Sequence, residues 1–213
     1  ILKEAYFYDL IFNVSNAVLI PRPETEELVD LIIKSQIANN SNPITILDIG
    51  TGSGCIPVTL KKHLPQAKVF GIDISEQALE VAKSNAIKND VDVEFIKEDI
   101  LSDFLILNSN FSIIVSNPPY VLNSEAQQMD ARVLEHEPHL ALFVEDNDPI
   151  IFYKRIIDLC DKYLEEKGWL FFELNPMYAI DVKNYANDSK FFNFTEILSD
   201  MSGKQRFLKA QKK

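Results

Sequence analysis

The chain has 213 residues, 46% hydrophobic and 25% charged, which suits one α/β domain with a sizeable core. Its formal net charge of −11 argues against broad phosphate-driven nucleic-acid binding, which needs clustered Lys and Arg, although it leaves a local basic groove open. No run nears the ~18–20 apolar residues of a membrane span and no signal-peptide pattern opens the chain. Cys55 and Cys160 match neither a zinc spacing nor a disulfide framework, so a cytoplasmic protein with reduced thiols is expected.

Residues 1–20 are rich in apolar and aromatic side chains. With Asn13–Asn16 as the turn, they read as two short strands, an N-terminal β-hairpin or flap over residues 1–22. Pro21-Arg22-Pro23-Glu24-Thr25-Glu26-Glu27 forbids helix before Pro23 and starts one after it, with three acids near the positive end of its dipole. Leu28, Leu31 and Ile32 form the apolar face, and Asn39-Asn40-Ser41-Asn42-Pro43 is a loop. Ile44–Ile49 is a nearly all-apolar strand, followed at once by Gly50-Thr51-Gly52-Ser53-Gly54 and by a helix through Val58, Leu60 and Leu64. Lys68–Ile72 is the next strand and ends on Asp73, and Ser75 caps a helix running to Asn89. Val93–Ile96 is a third strand, ending near Asp99-Ile100. Phe111–Val115 is a fourth, with Ser116 at its end, ahead of Asn117-Pro118-Pro119-Tyr120.

From Val121 to Asp148 only fragments of periodicity occur, Ala131–Leu134 and Leu140–Val144, as in a lid or binding loop. Asp148-Pro149 starts a periodic helix through Tyr153, Ile156, Ile157, Cys160 and Leu164, closed by Gly168. Trp169–Leu174 is a fifth strand and Pro176–Asn187 another helix. Phe194–Leu198 and Arg206–Lys209 form a terminal antiparallel hairpin across Ser199–Gln205. The alternation predicts one domain over 1–213, a parallel sheet covered on both faces. Since the chain opens on Ile1, a longer parent protein is expected.

Ligands of open α/β sheets bind outside the carboxyl ends of the strands. There the chain collects its unusual groups: the glycine loop, Asp73, Asp99-Ile100 and Asn117. A strand, a glycine turn and a helix, with an acid about 20 residues on, is a general nucleotide-binding arrangement, in which Asp73 can accept from two ribose hydroxyls. The spacing here is G-x-G-x-G, not the G-x-G-x-x-G of dinucleotide binders; NAD and a plain tight turn both stay open. Asp48, directly before the loop, would repel a pyrophosphate and attract an ammonium, unless it merely caps the loop's own N–H groups. S-adenosylmethionine carries an ammonium, a ribose, an adenine and a sulfonium, and no phosphate. At the end of the fourth strand Pro118 and Pro119 fix φ and remove donors, holding Asn117 with its amide free and Tyr120 as a flat face beyond. The alternative there is a proline turn with a capping Asn and a packing Tyr.

The series Asp48-Ile49-Gly50-Thr51-Gly52-Ser53-Gly54, Asp73 and Asn117-Pro118-Pro119-Tyr120 resembles the class I S-adenosylmethionine-dependent methyltransferases that act on exocyclic or amide nitrogen. More narrowly, Leu19-Ile20-Pro21-Arg22-Pro23-Glu24-Thr25-Glu26 resembles the signature of the HemK/PrmC family. These are protein-(glutamine-N5) methyltransferases that modify the Gly-Gly-Gln motif of peptide chain release factors. Glu137-Pro138 with Ala141-Leu142, the Gly168–Glu173 strand, and Asp200, Gly203 and Arg206 are similar too, so the match covers essentially the whole chain. The Asn-Pro-Pro-Tyr motif is shared with adenine methyltransferases; the Pro-Arg-Pro-Glu-Thr-Glu segment carries the narrower resemblance.

The resemblance implies an α/β, Rossmann-like class I methyltransferase fold: a mostly parallel seven-stranded sheet with a C-terminal antiparallel hairpin. It implies S-adenosylmethionine as cofactor, S-adenosylhomocysteine as product, and no metal. It assigns Gly50, Thr51, Gly52, Ser53 and Gly54 to the methionine and ribose side, Asp73 to the ribose hydroxyls, and Asp99 and Ile100 to the adenine. Asp48 and Asn117 complete the cofactor set. Asn117, Pro118, Pro119 and Tyr120 are the expected substrate-binding residues, and Asn117, Pro118 and Tyr120 the catalytic ones. The Asn117 side-chain oxygen and the Pro118 carbonyl accept the two amide N–H bonds, Tyr120 packs on the flat amide, and no residue stands out as a base. Holding the reactants in that geometry is worth up to ~7–11 kcal/mol.

Two positions depart from the family pattern: Leu174-Asn175-Pro176 stands where many relatives have Gly after the glutamate, and Ile100 where many have an aromatic residue. Relatives also carry a helical domain ahead of the catalytic one, outside this sequence. Arg22 and Glu24 either border the substrate entrance or start a solvated helix. His63, His136 and His139 lack a metal-ligand pattern and read as surface or loop residues. A release factor is the expected partner, with no membrane and no direct nucleic-acid substrate, and the chain is expected to act as a monomer. Three rivals remain. A nucleic-acid exocyclic-amine (adenine N6 type) methyltransferase is disfavoured by the acidic charge, and a dinucleotide-dependent oxidoreductase by Asp48 and the loop spacing. A non-catalytic binding module is disfavoured because both halves of the site are intact.

Overall fold

Strands and helices alternate along the chain much as the apolar runs require. A computed structural model describes residues 3–39, 44–102, 110–128, 134 and 137–213. Positions 40–43 of the asparagine-rich loop, Ala131 to Val133 of the first periodic fragment, and His136 lie outside the described residues. A hairpin of β1 (Glu4–Phe7) and β2 (Leu10–Asn13) precedes α1 (Pro23–Asn39). Then follow β3 (Thr45–Ile49), α2 (Cys55–His63), β4 (Lys68–Asp73), α3 (Glu76–Lys88), β5 (Glu94–Lys97) and β6 (Phe111–Ser116). Among the described residues, the segment after β6 holds short pieces: β7 (Val121–Leu122), a 3-10 turn, α4 (His139–Leu142) and β8 (Phe143–Val144). The chain closes with α5 (Ile151–Tyr163), β9 (Leu164–Glu173), α6 (Ala179–Asp188), β10 (Phe192–Ser199) and β11 (Gln205–Lys212).

Seven strands form one sheet in the order β10-β11-β9-β6-β3-β4-β5. β5, β4, β3, β6 and β9 run parallel, and β11 enters antiparallel beside β9 with β10 beyond it. The chain steps from β3 outward to β4 and β5, then returns to β6 on the other side of β3. That reversal opens a crevice at the carboxyl ends of β3 and β6. Strand alternation divides the core into two layers. Ile46, Val69, Ile113, Val115 and Phe171 pack with α1, α2 and the N-terminal hairpin. Leu47, Ile49, Phe70, Ile114, Leu170 and Phe172 pack with α5 and α6.

Three local expectations shift. The first turn lies at Tyr8-Asp9, not at Asn13–Asn16. Both residues take left-handed φ, +47° and +64°, as a tight two-residue hairpin requires. Tertiary bonds hold this non-glycine turn: the Tyr8 N–H donates to Glu26 Oε1 at 3.0 Å and its hydroxyl to Asp30 Oδ1 at 2.9 Å. Helix α5 ends at Tyr163 rather than at Gly168. Lys212 Nζ donates to the carbonyls of Cys160, Asp161 and Leu164, satisfying helix-end acceptors from a strand 48 to 52 residues away. Freed by this stop, β9 begins at Leu164 and passes Lys167 at φ +63° before joining its main register. Finally, Pro176–Tyr178 forms a 3-10 turn ahead of α6.

Candidate active site

The glycine loop is bent by backbone hydrogen bonds before any ligand is considered. The N–H groups of Gly50 and Thr51 both donate to the Ile72 carbonyl at 2.9 Å, which ties the loop to β4. Gly54 takes φ +78°, and a Cβ there would lie 3.0 Å from the Cβ of Ala82, so glycine is what lets α2 start against α3. Gly71 on β4 plays a similar part, since its Cβ would meet Thr51 Oγ1 at 2.7 Å and the Phe95 ring at 2.9 Å.

Asp73, at the end of β4, accepts from the Gly52 N–H at 2.8 Å and from the Ser75 N–H at 2.9 Å. Burial raises its carboxyl above the usual range, and these backbone donors oppose the rise. Each oxygen keeps a lone pair for a further donor. Ser116 Oγ donates to the Ile49 carbonyl at 2.6 Å, joining the ends of β6 and β3 under the crevice. On the far side Arg155 donates to the carbonyls of Ile100 and Ser102, both at 2.8 Å, and so anchors the loop after β5 to α5.

Asp48 is fully buried on β3, and neither carboxyl oxygen has a hydrogen-bond partner among the described residues. Burial pushes it up to about 7; the neighbouring Thr51 hydroxyl works against that and the Asp73 charge adds to it. The Thr51 hydroxyl itself has no partner at hydrogen-bond geometry among the described residues. Such an orphaned carboxylate is costly unless a cation relieves it.

At the tip of β6 a chain of side-chain bonds holds Asn117. Its Nδ2 donates to Thr25 Oγ1 at 3.2 Å, and the Thr25 hydroxyl donates to Glu173 Oε2 at 2.6 Å. The other oxygen of Glu173 faces the Tyr120 hydroxyl at 3.4 Å. Glu173 is the last residue of β9 and is 1% exposed. Burial raises its carboxyl, while the Thr25 hydroxyl and the Arg206 charge hold it down. Asn175 Nδ2 donates to the Tyr120 carbonyl at 3.2 Å, pinning the proline turn from behind. Across the mouth, Arg22 Nη2 contacts both oxygens of the buried Glu137 at 2.7 and 2.8 Å. That bond joins the stretch before α1 to the segment carrying Pro138, Leu140 and Ala141.

One cleft brings together Gly50, Gly52, Asp73, Asp99, Ile100, Asn117, Pro118 and Pro119 among the residues singled out above. Asp48, Thr51, Ser53 and Gly54 lie off its lining; all but Gly54 are buried polar side chains. Tyr120 is also off the lining, its ring half-buried against the core. Burial and the Glu173 charge raise its hydroxyl well above the ordinary range. Burial likewise pushes the Cys55 thiol up to about 12, and both cysteines are buried and free. The cleft wall adds Ala17 to Leu19 from the flap and Phe152 and Ile156 from α5, none of which the sequence reading placed there. Thr25, Glu173 and Asn175 were missed as well. A lone acid in the otherwise apolar stretch Trp169–Leu174 was the available signal for Glu173. The lining carries three carboxylates, Asp73, Glu98 and Asp99, and no Lys or Arg among the described residues. No group of His, Cys, Asp and Glu among the described residues could hold a metal, and no described helix is long and apolar enough to cross a membrane.

The methyltransferase small domain family matches residues 30–140. A release factor glutamine methyltransferase of Flavobacterium psychrophilum is 48% identical over 98% of this chain and 73% of its own length. The chain belongs to the release factor glutamine methyltransferase family. A second member, from Bacteroides thetaiotaomicron, is 46% identical over 94% of the chain and 70% of its own length. Among solved structures, a methyltransferase from Pyrococcus furiosus superposes with a TM-score of 0.68 at 16% identity, covering 96% of this chain and 89% of that one. The plantazolicin methyltransferase BpumL in complex with SAH gives 0.58 at 15% identity, covering 90% and 85%. These likenesses establish the Rossmann-like methyltransferase fold.

Proposed function

We infer that this protein transfers a methyl group from S-adenosylmethionine to the N5 amide nitrogen of the glutamine in the Gly-Gly-Gln motif of a peptide chain release factor. Family membership supports the reaction and the substrate class. The observation that carries the site reading is the Asn117 amide, whose nitrogen is tied back to Thr25 so that its oxygen is left as an acceptor at the cleft.

The residues present suit the cofactor. A cleft with three carboxylates and no Lys or Arg suits a ligand that is net positive and free of phosphate, and it disfavours a dinucleotide or a polynucleotide backbone. Asp73 offers lone pairs to ribose hydroxyls, and the half-exposed Ile74, Leu101 and Leu140 offer an apolar slot for a flat base. Asp48, beneath the loop, supplies the negative field that offsets an ammonium. S-adenosylmethionine, when bound, supplies a methyl group made electrophilic by its sulfonium.

An amide nitrogen is a poor nucleophile because its lone pair is delocalised into the carbonyl, so the protein's task is placement and charge stabilisation. The Asn117 oxygen accepts one N–H of the substrate amide and the Pro118 carbonyl accepts the other, drawing off positive charge as it develops on nitrogen. With the amide so held, its nitrogen would take the methyl as the methyl's bond to sulfur breaks, and one amide proton would leave to solvent. Pro118 and Pro119 keep this corner rigid. Tyr120, bonded to Glu173 and held by Asn175, sets the depth at which the corner stands.

The test is labelled methyl transfer to a recombinant release factor carrying its Gly-Gly-Gln glutamine, beside the same protein with that glutamine replaced. Incorporation that depends on the glutamine is expected. No incorporation, or label found in RNA or DNA instead, overturns the reading.

A further inference from the structure

An asparagine clamp works only in one of its two amide orientations. With the oxygen toward the substrate it accepts an N–H; with the nitrogen there it opposes one donor with another. The two orientations have nearly the same shape, so packing cannot choose between them and hydrogen-bond polarity must. Polarity here originates at Glu173. Its two oxygens face two hydroxyls, Thr25 at 2.6 Å and Tyr120 at 3.4 Å, and accept from both. Thr25 spends its single proton on the carboxylate and can only accept from Asn117. Asn117 must therefore turn its nitrogen to Thr25, at 3.2 Å, and its oxygen away from it.

Three elements meet to make this chain. Glu173 ends β9, Asn117 follows β6, and the pair falls one step beyond the last paired residues of those strands, Ser116 and Phe172. Thr25 lies in the first turn of α1, is 3% exposed, and reaches 148 residues along the chain to Glu173. As the third residue of the helix, Thr25 stands past the capping position. Its hydroxyl reaches across the fold and joins a carboxylate to an amide.

We propose that Thr25 is a positioning residue for methyl transfer, reading the polarity of Glu173 and locking the Asn117 amide with its oxygen toward the substrate. This rests on Asn117 acting as the amide clamp, as argued above. Thr25 and Glu173 stand behind Asn117 and off the cleft lining, so they act through that asparagine.

Thr25→Val keeps the shape and removes the hydroxyl, and Thr25→Ser keeps the hydroxyl. With the cofactor saturating, Thr25→Val should lower kcat on the release factor by up to about 100-fold, the scale of a misplaced reacting group. Its S-adenosylmethionine affinity, measured by calorimetry, should stay that of the wild type, and Thr25→Ser should recover most of the turnover. The side-chain amide resonance of Asn117, assigned by its loss in Asn117→Asp, should move in Thr25→Val and return in Thr25→Ser without any turnover being needed. If the valine variant fails to fold, Thr25→Cys takes its place, since a thiol is too weak an acceptor to hold the amide. Wild-type turnover in Thr25→Val, no rescue by Thr25→Ser, or an unmoved resonance overturns the proposal. If the resonance moves in Thr25→Val and returns in Thr25→Ser while the wild-type protein methylates no release factor, the assigned activity is overturned, and the catalytic role with it.

Discussion

Replacing Asp48 with Asn should make the cofactor-free protein more stable while weakening its hold on S-adenosylmethionine. The carboxyl is wholly buried and unpartnered among the described residues, and it titrates near 7 instead of 3.8. Each pKa unit is worth about 1.4 kcal/mol, so keeping the group ionised in the fold costs about 4 kcal/mol. The folded value lies above the unfolded one, which sets the sign. The stabilisation from the protonated form is complete below pH 3.8 and is lost as pH rises to about 7, with no further change beyond. Asn removes the charge but leaves an amide short of partners, so the net gain above pH 7 should be about 2–4 kcal/mol. Urea unfolding at pH 8 should show that gain, and the two proteins should converge toward pH 4. Calorimetry at pH 8 should show affinity for S-adenosylmethionine reduced roughly 10-fold, the scale of losing a nearby buried charge that attracts the ammonium. A variant no more stable than wild type at pH 8, or one that binds equally well, would show that Asp48 is not a buried charge held for the cofactor.

Asn117→Ala should still bind S-adenosylmethionine but lose methyl transfer by roughly two to three orders of magnitude, the scale of removing one preorganised polar group; full activity would remove the amide clamp. Asp73→Ala should weaken S-adenosylmethionine binding at least about tenfold, because it frees the Gly52 and Ser75 N–H groups as well as removing acceptors for the ribose. Unchanged affinity would count against the ribose assignment. Gly71→Ala forces a methyl to 2.7 Å from Thr51 Oγ1 and 2.9 Å from the Phe95 ring. It should cost about 1–3 kcal/mol, seen as a lower urea midpoint with an unchanged slope.

Much of the architecture can be read without coordinates, and the reason is local. Ile44–Ile49 and Phe111–Val115 are short apolar runs of strand length bounded by glycine or proline, and neither suits helix. Ser75 caps α3 through its own side chain, accepting from Ala78 N at 3.2 Å, so three residues suffice to mark that start. The gathering of Gly50, Asp73, Asp99 and Asn117 at one cleft follows from alternation alone, because parallel strands present their carboxyl ends on one side. What fails locally is what is decided at a distance. The end of α5 depends on Lys212, and the turn at Tyr8-Asp9 on Glu26 and Asp30.

The linear order of residues determined the class of fold, the parallel sheet and the identity of the groups at its rim, because periodicity, capping and turn chemistry act within a few positions. The tertiary structure alone decided which way those groups face and what charge they carry. It buried Asp48 without a partner among the described residues and turned the Tyr120 hydroxyl inward to Glu173. It brought Thr25 and Glu173 together behind Asn117 from opposite ends of the chain. Desolvation and hydrogen-bond polarity are set by neighbours in space, and residues 148 positions apart become neighbours only when the sheet has formed.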